Sequence, residues 1–135
     1  MRVLITGGAG FIGSNLIGKL IDQSKKIIVI DNLITSNLKN IHDYLDLDNF
    51  TFIKHDIQES IYFDEDIDYV VHLASCASPK AYSKFPINTL KSGSIGTINA
   101  LGIAKKHNAK FFLASTSEIY GDPEVSPQSE DYWGN

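Results

Sequence analysis

The chain has 135 residues, of which 43% are hydrophobic and 21% charged, enough apolar material for the core of one domain spanning 1–135. Its formal net charge is −4, and Lys and Arg cluster no further than pairs such as Lys25-Lys26 and Lys105-Lys106, which argues against nucleic acid or an anionic membrane as partner. No apolar run approaches the roughly 18 residues a membrane span needs, and the lone Cys76 excludes an internal disulfide framework, so a soluble protein of the reducing cytoplasm is expected.

In chain order, Arg2 to Thr6 reads as a buried strand and Phe11 to Asp22 as a helix with Ile12, Leu16 and Leu20 near one face. The glycines between them interrupt the apolar start of the chain, which reads as structure and not as a signal peptide. Lys26 to Ile30 forms a second strand, and a looser stretch rich in Ser, Thr and Asn leads through a weak helix at Leu38 to Leu45. Strands follow at Phe50 to His55, Ile67 to Ala74 and Ala109 to Ala114, with a long helix over Asn88 to Lys106 before the last of them. β-branched runs alternating with helical patterns predict an α/β fold of the Rossmann type, a doubly wound parallel sheet carried to about its fifth strand. The polar stretch from Asp122 to Asn135 shows no periodicity.

The first chemical signal is Thr6-Gly7-Gly8-Ala9-Gly10-Phe11-Ile12-Gly13, a G-x-x-G-x-x-G spacing between a predicted strand and a predicted helix. Glycine is required where a turn is tight, where backbone must approach a pyrophosphate, and where a helix packs close to a strand. The free N–H groups of the helix start then face the phosphate charge. Asp31 follows Gly13 by eighteen residues at the tip of the second strand, where a carboxylate accepts hydrogen bonds from a ribose diol. The same carboxylate repels a 2′-phosphate, and Asn32 to Ser36 holds no arginine, so NAD is the expected cofactor rather than NADP.

With these motifs in place, the chain resembles the N-terminal part of the extended short-chain dehydrogenase/reductases that act on nucleotide sugars. The resemblance rests on TGGAGFIGS at Thr6 to Ser14, DN at Asp31-Asn32, HD at His55-Asp56, HLASCASP at His72 to Pro79, and LASTSEIYGDPEVSPQSEDYWGN from Leu113 onward. The last stretch is most similar to the UDP-glucuronate decarboxylases. Sugar 4,6-dehydratases carry Asp-Glu at the position of Ser117-Glu118, and 4-epimerases a small residue in place of the Glu.

The resemblance implies the conversion of UDP-glucuronate to UDP-xylose through a 4-keto intermediate, with hydride taken from C4 and later returned by the same NAD. It places Thr116 and Ser117 at the C4 oxygen and Glu118 at the C5 and carboxyl region as catalytic residues. It assigns Gly7, Gly10, Phe11, Ile12 and Gly13 to the pyrophosphate, Asp31 and Asn32 to the adenosine ribose, Asp56 and Ile57 to the adenine, and Leu73, Ala74 and Ser75 to the nicotinamide side. Lys91 corresponds to a cofactor-contacting lysine, and Tyr82 and Asn99 to positions associated with the sugar nucleotide.

Some features depart from the pattern. No Tyr is followed by Lys four positions later, so the family's catalytic Tyr-x-x-x-Lys pair is absent and no unaided decarboxylation is expected; a non-catalytic NAD-binding or interaction module, a gene remnant, and a fragment of a nucleotide-sugar 4,6-dehydratase or 4-epimerase stand as alternatives. Gly93 stands where relatives keep an asparagine, Ser36 where they have glycine, and Cys76 where proline is common. His42, His55, His72 and His107 lack metal-site spacing, and Asp64, Glu65, Asp66 and Asp68 read as a solvated acidic loop. Tyr132 and Trp133 lack the basic neighbours of a base-stacking surface. Phe111, Phe112 and Leu113 read as buried on both faces, so without the helix that follows in relatives they should leave an uncovered apolar patch. That patch suggests a homodimer or a complementing C-terminal polypeptide as partner.

Overall fold

Alternate residues of the first two strands point to opposite faces of a sheet, and both sets are apolar. In a computed structural model, which describes residues 1–135, Val3, Ile5, Ile27 and Val29 join one core, while Leu4, Ile28 and Ile30 join the other. A strand buried on both faces needs cover on both, which is the condition for a parallel sheet between helices. Five strands satisfy it: β1 (Arg2–Thr6), β2 (Lys26–Asp31), β3 (Phe50–Lys54), β4 (Tyr69–His72) and β5 (Lys110–Leu113). They lie in the order β3-β2-β1-β4-β5, every pair parallel.

The first core is closed by Ile17 and Ile21 at α1 (Phe11–Leu20) and the short turn after it, and by Ile41 from a 3₁₀ segment at Leu38–Tyr44. The second is closed by Ala100, Ile103 and Ala104 of α4 (Thr97–His107), with Phe63 and Ile67 from the irregular stretch before β4. The Rossmann reading therefore holds, with the chain leaving β1 to one side for β2 and β3 and to the other for β4 and β5. The reversal opens a crevice at the C-terminal ends of β1 and β4, where ligands of such sheets bind.

Two expectations are corrected and a third is met with a local change of pitch. The long helix expected over 88–106 is present from Pro86 to His107, as α3 (Pro86–Lys91), a π-helical turn over Ser92–Gly96 and α4 in unbroken succession, and a separate short helix, α2 (Pro79–Lys84), precedes it. Pro79 and Pro86 each occupy a first helical turn, where a missing N–H costs nothing, and Ser78 accepts the Ala81 N–H at the start of α2. The weak helix at 38–45 is 3₁₀ over 38–44, begun by Asn37, whose side chain accepts the Lys39 N–H. Finally, β5 is not buried on both faces. As the edge strand it leaves Phe112 58% exposed and Leu113 exposed beside it, so the expected uncovered apolar patch is present.

Candidate functional site

The turn from β1 into α1 is shaped by close backbone contact. Gly7 adopts φ +71°, and a Cβ there would lie 2.8 Å from the backbone of Ala74, so the ends of β1 and β4 touch at the crevice floor. A Cβ on Gly13 would come within 2.5 Å of Gly8 Cα, which is how α1 starts directly against the loop. The loop is fastened by the Gly7 N–H donating to Ile30 O (2.8 Å) and the Gly10 N–H to Gly7 O (3.1 Å). Ser14 N–H is the first to find a helical acceptor, Gly10 O at 3.0 Å, and the N–H groups of Phe11, Ile12 and Gly13 have no backbone acceptor. With no acidic residue in that first turn, the helix end presents three donors and a partial positive charge. Phe11 and Ile12 stand 83% and 64% exposed at this opening.

Asp31 closes β2 next to the loop and is only 8% exposed. Its Oδ2 accepts the Ala9 N–H at 3.0 Å, and its Oδ1 accepts the Leu33 N–H at 2.9 Å and the Ser36 hydroxyl at 2.7 Å. A carboxylate offers about four acceptor positions, so one on Oδ2 is unfilled. The Asn32 amide donates to Asp56 Oδ2 (2.9 Å), and Asp56 Oδ1 accepts the Gln58 N–H (3.0 Å), which brings the sequence-picked Asn32 and Asp56 together beside Asp31. Ile57 is buried, and its carbonyl accepts the Asn99 side-chain amide at 2.7 Å, so Asn99 ties α4 to the segment after β3.

Across the crevice, Leu73, Ala74 and Ser75 leave β4, with the Leu73 N–H on Thr6 O (3.0 Å) and the Ala74 N–H on Thr6 Oγ1 (3.4 Å). Lys91, the last residue of α3, is exposed and makes no ion pair. Tyr82 lies on α2, its side chain partly open to solvent. Thr116, Ser117 and Glu118 follow β5, which pairs with β4, so they sit at the same C-terminal edge of the sheet as residues 73–75. All three are exposed. Thr116 donates its hydroxyl to Glu118 and accepts the Glu118 N–H in return.

Charge is arranged asymmetrically along β1. Arg2, the chain's single arginine, is at the opposite end from the glycine loop, paired with Asp66 at 2.8 Å and Asp68 at 3.3 Å. The Arg2 backbone N–H and then its guanidinium hold the Asp68 carboxyl below its ordinary range, and both carboxylates push the guanidinium up. Two members of the expected solvated acidic loop are thus ion-paired. His72, which the sequence left without a role, is buried beneath the crevice, and desolvation lowers its pKa.

The family profile described as GDP-mannose 4,6 dehydratase matches residues 4–133. The chain belongs to this family. Among curated members related to this GDP-mannose 4,6 dehydratase-family chain, UDP-glucuronic acid decarboxylase 1 of Danio rerio is 51% identical over 134 residues, 99% of this chain and 32% of the relative. Epimerase Mth375 from Methanothermobacter thermautotrophicus superposes with a TM-score of 0.85 at 32% identity, over 97% of this chain and 40% of its own. The UDP-glucose-4-epimerase of Stenotrophomonas maltophila, solved with bound NAD and formylated UDP-arabinopyranose, gives 0.84 at 26% identity, over 100% of this chain and 43% of its own. This family member spans about a third of the length of the curated relatives it matches.

Proposed function

We propose that the crevice binds NAD and that these residues form the dinucleotide-binding part of a UDP-glucuronate decarboxylase. The observation that carries the reading is the juxtaposition of two features, the glycine loop and the tip of β2, joined by the Ala9 N–H on Asp31 Oδ2. Three unpartnered N–H groups at the start of α1 would take the pyrophosphate, and the vacant acceptor of Asp31 would take a hydroxyl of the adenosine ribose. Phe11 and Ile12 border the pyrophosphate, Asn32, Asp56 and Ile57 the adenosine, Leu73, Ala74 and Ser75 the nicotinamide, and Lys91 supplies a cation to the cofactor. NAD is favoured over NADP because Asp31 would repel a 2′-phosphate while the only arginine is engaged at the far end of β1.

When bound, NAD would supply the hydride acceptor for C4 of the sugar and the hydride donor for its return. In that chemistry Thr116 and Ser117 hydrogen-bond the C4 oxygen, and Glu118 handles the proton at C5. Tyr82 and Asn99 are assigned to the sugar nucleotide on the resemblance alone. The Tyr-x-x-x-Lys pair must come from sequence outside these 135 residues, in the same or a complementing polypeptide, so these residues alone should bind NAD without forming UDP-xylose.

Calorimetric titration of the chain with NAD⁺, with NADP⁺ and UDP-glucuronate in parallel, tests the assignment. Gly10→Asp is the control: Gly10 has extended backbone at φ −76°, a Cβ there meets only Gly7 O at 3.2 Å, and an N-terminal Asp caps helices well. The variant should stay folded, while its carboxylate excludes the pyrophosphate. One-site NAD⁺ binding that is lost in Gly10→Asp and weaker for NADP⁺ is expected; a folded wild-type chain that binds neither dinucleotide would refute the reading.

A further inference from the structure

Under the crevice floor, four hydrogen bonds run in series through His72. The Ala74 N–H meets Thr6 Oγ1 at 3.4 Å, and Thr6 Oγ1 lies 2.6 Å from His72 Nδ1. On the other side of the ring, His72 Nε2 lies 3.2 Å from Thr97 Oγ1, which donates to Gly93 O at 2.9 Å. A hydroxyl has one proton to give. Gly93 O can only accept, so Thr97 spends its proton there and must receive one from Nε2. A neutral ring has one proton, which Nε2 then holds, so Nδ1 presents a lone pair and receives the Thr6 hydroxyl proton while Thr6 Oγ1 accepts from Ala74. The direction of every bond is thereby fixed, and the ring that fits carries hydrogen on Nε2 and a lone pair on Nδ1.

We infer that His72 is held as the neutral Nε2–H tautomer and is a positioning residue that clamps the ends of β1 and β4 to the π-helical turn below the crevice. The clamp has a target at each end. One is Ala74, whose backbone would collide with any side chain at Gly7; the other is Gly93, inside the only π-helical turn of the chain. π turns are uncommon and concentrate at functional sites. The groups facing the ring are uncharged on every side: Thr6 from β1, Phe111 from β5, stacked with ring centroids 6.4 Å apart, and Gly96 and Thr97 from the helical side. No carboxylate or cation acts on the imidazole, and burial disfavours its charged form. A second proton on Nδ1 would turn the Thr6 hydroxyl proton away from the ring and leave it without that acceptor.

The effect on cofactor affinity rests on the NAD reading; the tautomer and the clamp do not. Nitrogen-15 NMR of the imidazole in the full chain at pH 7 should therefore show a protonated Nε2 and an unprotonated Nδ1. Thr97→Val should move that tautomer balance, raise the exchange rate of the Ala74 amide, and weaken NAD⁺ binding about tenfold, the scale of one hydrogen bond. Thr97→Ser should restore all three, which a packing role for the threonine methyl would not. The Nδ1–H tautomer or an imidazolium at pH 7 would overturn the inference, as would a Thr97→Val protein with an unchanged Ala74 amide. The expected tautomer in a chain that binds no NAD⁺ would leave the clamp standing and overturn the cofactor assignment instead.

Discussion

Gly13 has no room for a methyl group, because the nearest atom to a new Cβ is backbone and cannot swing aside. Gly13→Ala should therefore cost about 1–3 kcal/mol in urea denaturation, the usual range for overpacking. The glycine spacing made this residue legible in the sequence, and Asp31 was legible because it follows Gly13 by eighteen residues at a strand tip. Other pairings were not legible. Arg2 meets Asp66 and Asp68 across more than sixty residues, and no local pattern marks which acid in a run of them a distant arginine will take. The same holds for the series through His72, whose partners Thr6 and Thr97 come from separate elements. Asp68 carries a pH prediction. Its folded pKa is depressed, so it adds stability above its unfolded pKa near 3.8, and that stability is lost as pH falls through the folded value. Asp68→Asn should lower the denaturation midpoint at pH 7, and the difference from wild type should shrink toward pH 3.

Strands were easier to read than helices. A strand buried on both faces is an unbroken β-branched run, and the Ile-rich segment of β2 can hardly be anything else. Helix ends depend on capping and on the packing partner. The run from Pro86 to His107 changes pitch over Ser92–Gly96, and Gly96 there lies against Ile57, where a Cβ would come 2.9 Å from the side chain. That contact is invisible in one dimension. Burial also separates the strands energetically. Leu4 of β1 is fully enclosed, so Leu4→Ala should cost about 2–5 kcal/mol, whereas Phe112→Ala on the edge strand should stay within roughly 1 kcal/mol. Thermal or chemical denaturation of the two variants side by side would check the contrast.

At the scale of the molecule, a ligand that binds only the folded chain stabilises it by mass action. NAD⁺ at a hundred times its dissociation constant should add about 2.7 kcal/mol. The melting temperature should therefore rise with NAD⁺ concentration in wild type and stay flat in Gly10→Asp, as differential scanning fluorimetry would read. By itself the sequence determined the α/β class, the glycine loop, the acidic strand tip and the family, because each is set by spacing within a short stretch of chain. Only the tertiary structure decided that Asp31 keeps one free acceptor beside three free N–H groups, and that His72 links three elements under the crevice. Those facts depend on which distant residues share a hydrogen bond or a face, and sheet order, not sequence spacing, sets that.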